Sequence, residues 1–133
     1  MLDYGGGDGQ LTQLLKAQGV NACAWDPFHF DAPMPDGRFD LITSFEVFEH
    51  TPTPIVTLQD ACGFLNESGA IFFSTLVSDA HTAQGTSFWY IGPRNGHVTI
   101  HTKKSLSILF SKVGLEVIHF SDSLHMGYNP ATL

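Results

Sequence analysis

The chain has 133 residues, 43% of them hydrophobic, which suits one soluble domain spanning 1–133 with a packed core and leaves too little for two. Its formal charge is −7 with only six Lys and Arg, so no cationic surface is available for phosphate neutralisation and a nucleic-acid partner is not expected. The longest apolar stretches, 70–73 and the broken run 41–47, are too short for a membrane span, no secretory leader is visible, and the unpaired Cys23 and Cys62 suit a reducing, cytoplasmic setting.

Strand and helix signals alternate along the chain. Residues 2–4 end a strand. A helix opens at Asp8 or Gly9, carries Leu11, Leu14 and Leu15 on one face, and stops at Gly19. Residues 20–25 form a short strand closed by Asp26-Pro27, and 27–38 read as loop. The next strand covers 39–45. Thr53 as N-cap and Pro54 in the first turn start a second helix, whose apolar face is Ile55, Leu58, Cys62 and Leu65. Ser68-Gly69 is expected to close the following turn, with 70–76 as a strand buried on both faces. Residues 77–96 form a long, glycine-rich loop of the kind that usually carries function. Thr102 caps a third helix with Leu106, Leu109, Phe110 and Val113 on its apolar face, ended by Gly114. Residues 115–120 make another strand, and 121–133 either add a partial strand or fray. The order predicts an α/β fold: a Rossmann-like, doubly wound, mostly parallel sheet flanked by helices.

Such sheets bind ligands beyond the carboxyl ends of their strands. At the first turn Gly5, Gly6 and Gly7 allow a sharp bend and close backbone approach to a ligand, and the next helix offers free N–H groups. Asp26 ends the second strand, where a carboxylate can accept from the two hydroxyls of a ribose; its bland reading is a turn former before Pro27. The glycines fall at 5, 7 and 9 and Gln10 occupies the third glycine position of a dinucleotide fingerprint, which disfavours a nicotinamide cofactor. Asp3 would repel a pyrophosphate and suits a ligand carrying positive charge.

Leu2-Asp3-Tyr4-Gly5-Gly6-Gly7-Asp8-Gly9 resembles motif I of the class I S-adenosylmethionine-dependent methyltransferases. Three later blocks continue the resemblance in order. Trp25-Asp26-Pro27 matches the acidic ribose position. The stretch from Phe39 to His50 resembles the fourth-strand motif, including the Glu49-His50 pair that marks one broad subfamily. The stretch from Phe64 to Ser74, and then His97-Val98-Thr99-Ile100 with Gly114-Leu115-Glu116-Val117, resembles its later part. The resemblance implies S-adenosylmethionine as cofactor, with Asp3, Gly5, Gly6, Gly7 and Gly9 around its methionine end. It places Asp26 on the ribose, Pro27 and Phe28 near the adenosine, and Ser44, Phe45 and Glu46 near the transferred methyl. It also implies departures: the family's third strand is missing or shrunken, its adenine-contacting acid has only Asp31 as a substitute, and the chain is shortened at its N-terminus.

The expected reaction is methyl transfer to a small-molecule acceptor. The cofactor methyl is already electrophilic, so positioning and water exclusion carry most of the catalysis, with a base where the acceptor holds a proton. His50 and His97 are the candidate bases; the plainer role for each is to hydrogen-bond backbone. Glu46 is a candidate for the cofactor's amino group. Trp89 and Tyr90 either line an acceptor pocket or close the core. His97 and His101 are four apart on an extended segment with no third ligand near in sequence, so no metal is expected. The rival readings are a silent cofactor-binding remnant and a module in which a bare apolar face is buried in a homodimer.

Overall fold

The computed structural model describes residues 1–29, 33–92 and 95–132. A six-stranded sheet runs in the order β2-β1-β3-β4-β6-β5. Its strands are β1 (Leu2–Tyr4), β2 (Cys23–Trp25), β3 (Phe39–Phe45), β4 (Leu65–Ser74), β5 (Glu116–His119) and β6 (Leu124–Tyr128). The helices are α1 (Gln10–Ala17), α2 (Pro54–Gly63) and α3 (Lys103–Ser111). β1 to β4 pair in parallel, and β6 runs antiparallel between β4 and β5. From β1 the chain crosses to β2 on one side, and from β3 to β4 on the other. Right-handed crossovers therefore place α1 on one face and α2 with α3 on the opposite face.

The core lies under α2 and α3. Leu58 and Ala61 of α2 and Leu106 and Phe110 of α3 are fully buried against Leu2, Ile42, Ile71 and Phe73 of the sheet. Thr102 caps α3 as expected: its hydroxyl accepts from the Ser105 N–H at 3.0 Å and the Ser105 hydroxyl accepts from the Thr102 N–H at 2.9 Å, a reciprocal capping box. Thr53 precedes α2 but makes no side-chain cap. Its own N–H is taken by the Thr51 hydroxyl at 3.2 Å instead.

Two sequence expectations give way, and of the two readings of the tail the strand holds. Leu14 of the expected α1 face is 68% exposed, while Leu11 and Leu15 stay half-buried beside the buried Thr12. Ser68-Gly69 is no turn but lies inside β4, which starts at Leu65. The β3–β4 register shifts there, and a Cβ on residue 69 would lie 3.0 Å from the carbonyl oxygens of Phe39 and Asp40. The glycine thus serves a close strand approach rather than a reversal. The tail is an ordered inner strand, since β6 joins β4 to β5. The predicted loop holds two short 3-10 segments, Asp79–Ser87 and Trp89–Ile91.

The expected shrinkage is seen at one edge: β2 is the outermost strand, and no strand flanks it among the described residues. Asp31 lies outside the described residues. The sheet face on the α1 side keeps an apolar strip. Alternation along β3, β4 and β5 puts Leu41, Phe45, Phe72 and Ile118 there. Phe72 has ring centroids 6.1 Å from Phe45 and 5.9 Å from Phe120, which is 55% exposed.

Candidate functional site

The carboxyl ends of β1, β2 and β3 open onto a cavity of about 420 Å³, within the usual range for small-ligand pockets. Tyr4, Gly5, Asp26, Pro27, Phe28, Glu46, Val47 and His50 contribute to its wall, with Thr51, Val56, Thr57 and Asp60 from α2 and the segment before it. Folding thus brings Gly5, Asp26, Pro27, Glu46 and His50 to one cavity.

The glycine turn bends directly after β1. Gly5 has φ +78°, which an L side chain rarely adopts, and a Cβ there would meet Val47 Cγ2 at 2.5 Å. The Gly5 N–H donates to the Trp25 carbonyl at 2.7 Å, tying the loop to the end of β2. Asp26 follows at once. One of its oxygens accepts from the Gly7 N–H at 3.1 Å and the other from the Phe28 N–H at 2.9 Å. A carboxylate oxygen has two lone pairs, so each retains one for a ligand hydroxyl. The backbone has oriented Asp26 before any ligand arrives, which is how a bidentate diol site is kept rigid.

Asp3 has another place. It is buried on the opposite face of β1, takes the Thr43 hydroxyl at 2.8 Å, and stands under the Gly6 backbone. Burial, before the charge of Asp26, raises its pKa. It supports the loop from beneath and is not in the cavity wall. Gly6, Gly7 and Gly9 are not in that wall either. Ser44 is fully buried, and Phe45 points to the α1-side face against Phe72, because side chains alternate along β3.

Glu46 is the only non-glycine residue with positive φ among the described residues, at +52°. Such a backbone persists only where its surroundings hold it. Its N–H donates to the Ser74 hydroxyl at 3.0 Å, and that hydroxyl donates to Glu46 Oε1 at 2.9 Å. The Tyr90 hydroxyl donates to Glu46 Oε2 at 2.8 Å. Both carboxyl oxygens are therefore engaged within the protein. Tyr90 is 3% exposed and closes the core, whereas Trp89 is 68% exposed.

Next to Glu46 lies a group only partly legible in sequence. Glu49 is fully buried, and neither carboxyl oxygen has a hydrogen-bond partner among the described residues. Burial, reinforced by the Glu46 carboxylate, pushes its pKa up to about 8. Glu46 is pushed up by its own burial but held lower overall by its neighbours, the Glu49 carboxyl and the hydroxyls of Tyr90 and Ser74. His50 sits with Nε2 4.0 Å from Glu49 Oε1, and its Nδ1 meets the Gly96 carbonyl at 2.9 Å. His97 packs against it with ring centroids 4.8 Å apart, and its Nδ1 meets the Tyr90 carbonyl at 2.6 Å. A carbonyl only accepts, so both rings carry their proton on Nδ1 and present a free Nε2 lone pair.

One ligand atom from each of Glu49, His50 and His97 falls within 4.8 Å of the others. His97 thus finds its two ligand-type neighbours, Glu49 and His50, at the exit of β3 and not beside it in sequence. His101 takes no part: it is buried on the Phe48 carbonyl, at 3.3 Å.

The chain matches the family described as a methyltransferase domain over residues 1–120. It is 31% identical over 103 residues to a ubiquinone biosynthesis O-methyltransferase of Aromatoleum aromaticum, covering 72% of this chain and 43% of that protein. It is 30% identical over 105 residues to the protein of the same description in Azoarcus sp., covering 71% and 42%. The chain therefore spans less than half the length of these curated relatives. Solved structures share the fold at low identity. TnmH superposes with a TM-score of 0.71 at 16% identity, over 96% of this chain and 48% of its own. NcsB1, an O-methyltransferase from neocarzinostatin biosynthesis solved with S-adenosylhomocysteine and 1,4-dihydroxy-2-naphthoic acid, gives 0.66 at 15%, over 96% and 48%. A methyltransferase-like protein of Bacillus halodurans gives 0.66 at 15%, over 89% and 63%. With the glycine turn, the Asp26 position and a family match over most of its length, the chain belongs to the class I S-adenosylmethionine-dependent methyltransferases.

Proposed function

We propose that this chain binds S-adenosylmethionine in the cavity over β1 and β2 and transfers its methyl group to a small-molecule acceptor. The observation that carries this is Asp26, fixed by the Gly7 and Phe28 N–H groups with a lone pair free on each oxygen, in one cavity with Gly5, Glu46 and His50. When bound, S-adenosylmethionine supplies an electrophilic methyl on sulfur. The chain's tasks are to hold it, align an acceptor and take the acceptor's proton. The free Nε2 atoms of His50 and His97 suit the last task, and their Nδ1–H bonds to carbonyls keep the rings in that tautomer. The small-molecule class is supported by the relatives' description and by the naphthoic acid bound in NcsB1. It also agrees with the acidic composition of this chain.

The test is calorimetric titration with S-adenosylhomocysteine, followed by radiolabelled methyl transfer to a panel that includes 1,4-dihydroxy-2-naphthoic acid. Binding and turnover are expected. His97→Gln should lower kcat about 100-fold or more, while the affinity for S-adenosylhomocysteine stays within threefold. Absence of binding at millimolar ligand would overturn the reading.

A second reading concerns the Glu49, His50 and His97 group. A buried carboxyl without a partner is costly unless protonated or balanced by a cation. Two imidazoles with Nδ1 on carbonyls are oriented as metal-bound histidines usually are. On this reading, which replaces the base role of His50 and His97, we infer that a divalent cation of the nitrogen-and-oxygen-preferring kind, such as Mn²⁺ or Zn²⁺, is held there. Paramagnetic titration with Mn²⁺ should show one site that Glu49→Gln weakens at least tenfold. A titration unaffected by that substitution would discard the cation and leave the bases standing.

A further inference from the structure

The two faces of the sheet are covered unequally. α2 and α3 bury one of them, and pairing registers with strand alternation fix what the other presents beyond β1. Phe72 of β4 stands opposite Met126 of β6, and Met126 opposite Ile118 of β5, so the three form one row across the sheet. Leu41 and Phe45 of β3 flank that row at one end, and Phe120, next after β5, flanks it at the other with its ring against Phe72. Leu41, Phe45 and Ile118 each keep 37% of their surface in water, and Phe120 keeps 55%. Within 41–45, 70–74, 116–120 and 124–128, the one acidic or basic side chain turned to this face is Glu116. It sits at a corner, where the Tyr128 hydroxyl donates to it at 3.1 Å.

We propose that two copies of this chain associate face to face through this surface, with Phe72, Met126 and Ile118 at the centre and Glu116 at the rim. At these exposures the face leaves roughly 500 Å² of largely apolar surface in water, a size that marks contact sites. Closing it on a second copy removes about 1,000 Å² in total, where specific interfaces begin. The charge pattern selects the occupant. The face has no cation for an anionic membrane or an acidic peptide and no row of carboxylates for a basic partner. A flat apolar face is complementary to itself, two-fold pairs are the commonest assemblies, and sheet faces stack with their side chains interleaved. The remainder of each copy opposes the pairing, since both carry a formal charge of −7. Apolar burial therefore works against long-range repulsion, which gives a modest affinity and a salt dependence opposite to that of an ion-paired interface. None of these residues lines the cavity, so the pairing stands apart from the cofactor reading.

Sedimentation of the whole chain from micromolar to submillimolar concentration is the test. A monomer–dimer equilibrium with a micromolar midpoint is expected, and it should tighten as sodium chloride screens the repulsion between acidic copies. Phe120→Asp and, separately, Leu41→Lys should each weaken association about tenfold or more, because each buries a charge against an apolar partner surface. Ile108→Lys, at a 50% exposed position of α3 on the opposite face, should leave association unchanged. Circular dichroism shows whether each variant is folded, and the salt series on the wild type needs no variant. A wild type that stays monomeric at submillimolar concentration overturns the proposal. So does a dimer that salt loosens, or one that Ile108→Lys breaks while Phe120→Asp and Leu41→Lys do not. Growth beyond the dimer would mean that the face binds a different surface of the next copy, and overturns it as well.

Discussion

Asp26→Ala should weaken S-adenosylhomocysteine binding about 100-fold while leaving the fold in place. Two charge-assisted hydrogen bonds to ribose hydroxyls are lost, each worth about 1.5–3 kcal/mol where the acceptor is ionised. Some of that is returned by water in the emptied position, and about 1.4 kcal/mol corresponds to each factor of ten. The substitution also releases the Gly7 and Phe28 N–H groups, so the glycine turn keeps only its backbone tie from Gly5 to Trp25 at the end of β2. Both effects act on the ligand-binding loop rather than on the core, which lies under α2 and α3. The melting temperature should therefore move by only a few degrees. Asp26→Asn keeps one acceptor and should cost about tenfold. An affinity within threefold of wild type for Asp26→Ala would show that the ribose is held elsewhere and would remove the main support for the proposed function.

The parallel half of the fold was legible because its signals are local. The glycine turn, the residue pair Asp26-Pro27, the apolar run of β3 and the Thr102 cap each lie within a few residues, and β3 occupies its predicted bounds. The antiparallel part was legible only in β5, which falls within the expected 115–120; β6 stayed open between strand and fray. In β6 the inward positions are His125 and Gly127, so the expected alternation of apolar residues is broken on the core side. His125 is buried there because Nε2 meets the Thr75 carbonyl at 3.0 Å and Nδ1 meets His119 at 2.9 Å. Gly127 is there because Phe110 of α3 fills the space a side chain would take. A polar residue and a glycine break the strand alternation in sequence, and the tertiary partners decide for the strand. Ser68-Gly69 misled in the same manner, since its meaning depends on the approach of β3.

For the site, residues on one turn were found and residues joined by the fold were not. Gly5, Asp26, Pro27, Glu46 and His50 came from contiguous motifs and share the cavity. Asp3 and Phe45 belong to those motifs but face the other side of the sheet, a consequence of strand alternation that motif matching ignores. Glu49 was noticed only as the neighbour of His50. Its burial without a partner and its approach to His97 depend on the loop before α3 folding back over β3, where the Val98 and Thr99 N–H groups donate to the Glu49 carbonyl at 2.8 and 3.0 Å.

The largest change in stability should come from Phe110. This ring is fully buried, stacks on Phe73 with centroids 4.7 Å apart, lies 5.9 Å from Phe48, and covers Gly127. It therefore joins α3, β4, β6 and the segment after β3 in a single contact. Phe110→Ala should cost about 3–5 kcal/mol, the usual range for a buried phenylalanine, measured by urea unfolding. The reciprocal change is as informative. A Cβ at position 127 would stand 2.4 Å from Phe110 Cε1 and 2.5 Å from Cδ1, too close for the stacked ring to remain. Gly127→Ala should cost about 1–3 kcal/mol through overpacking. In a Phe110→Leu background, where no aromatic edge meets that Cβ, the same substitution should cost at least about 1 kcal/mol less. Neighbours sharing one space are non-additive, whereas independent sites add within about 0.5 kcal/mol. Additive losses in the double variant would mean that Gly127 is required for the β-strand backbone itself and not for the ring above it.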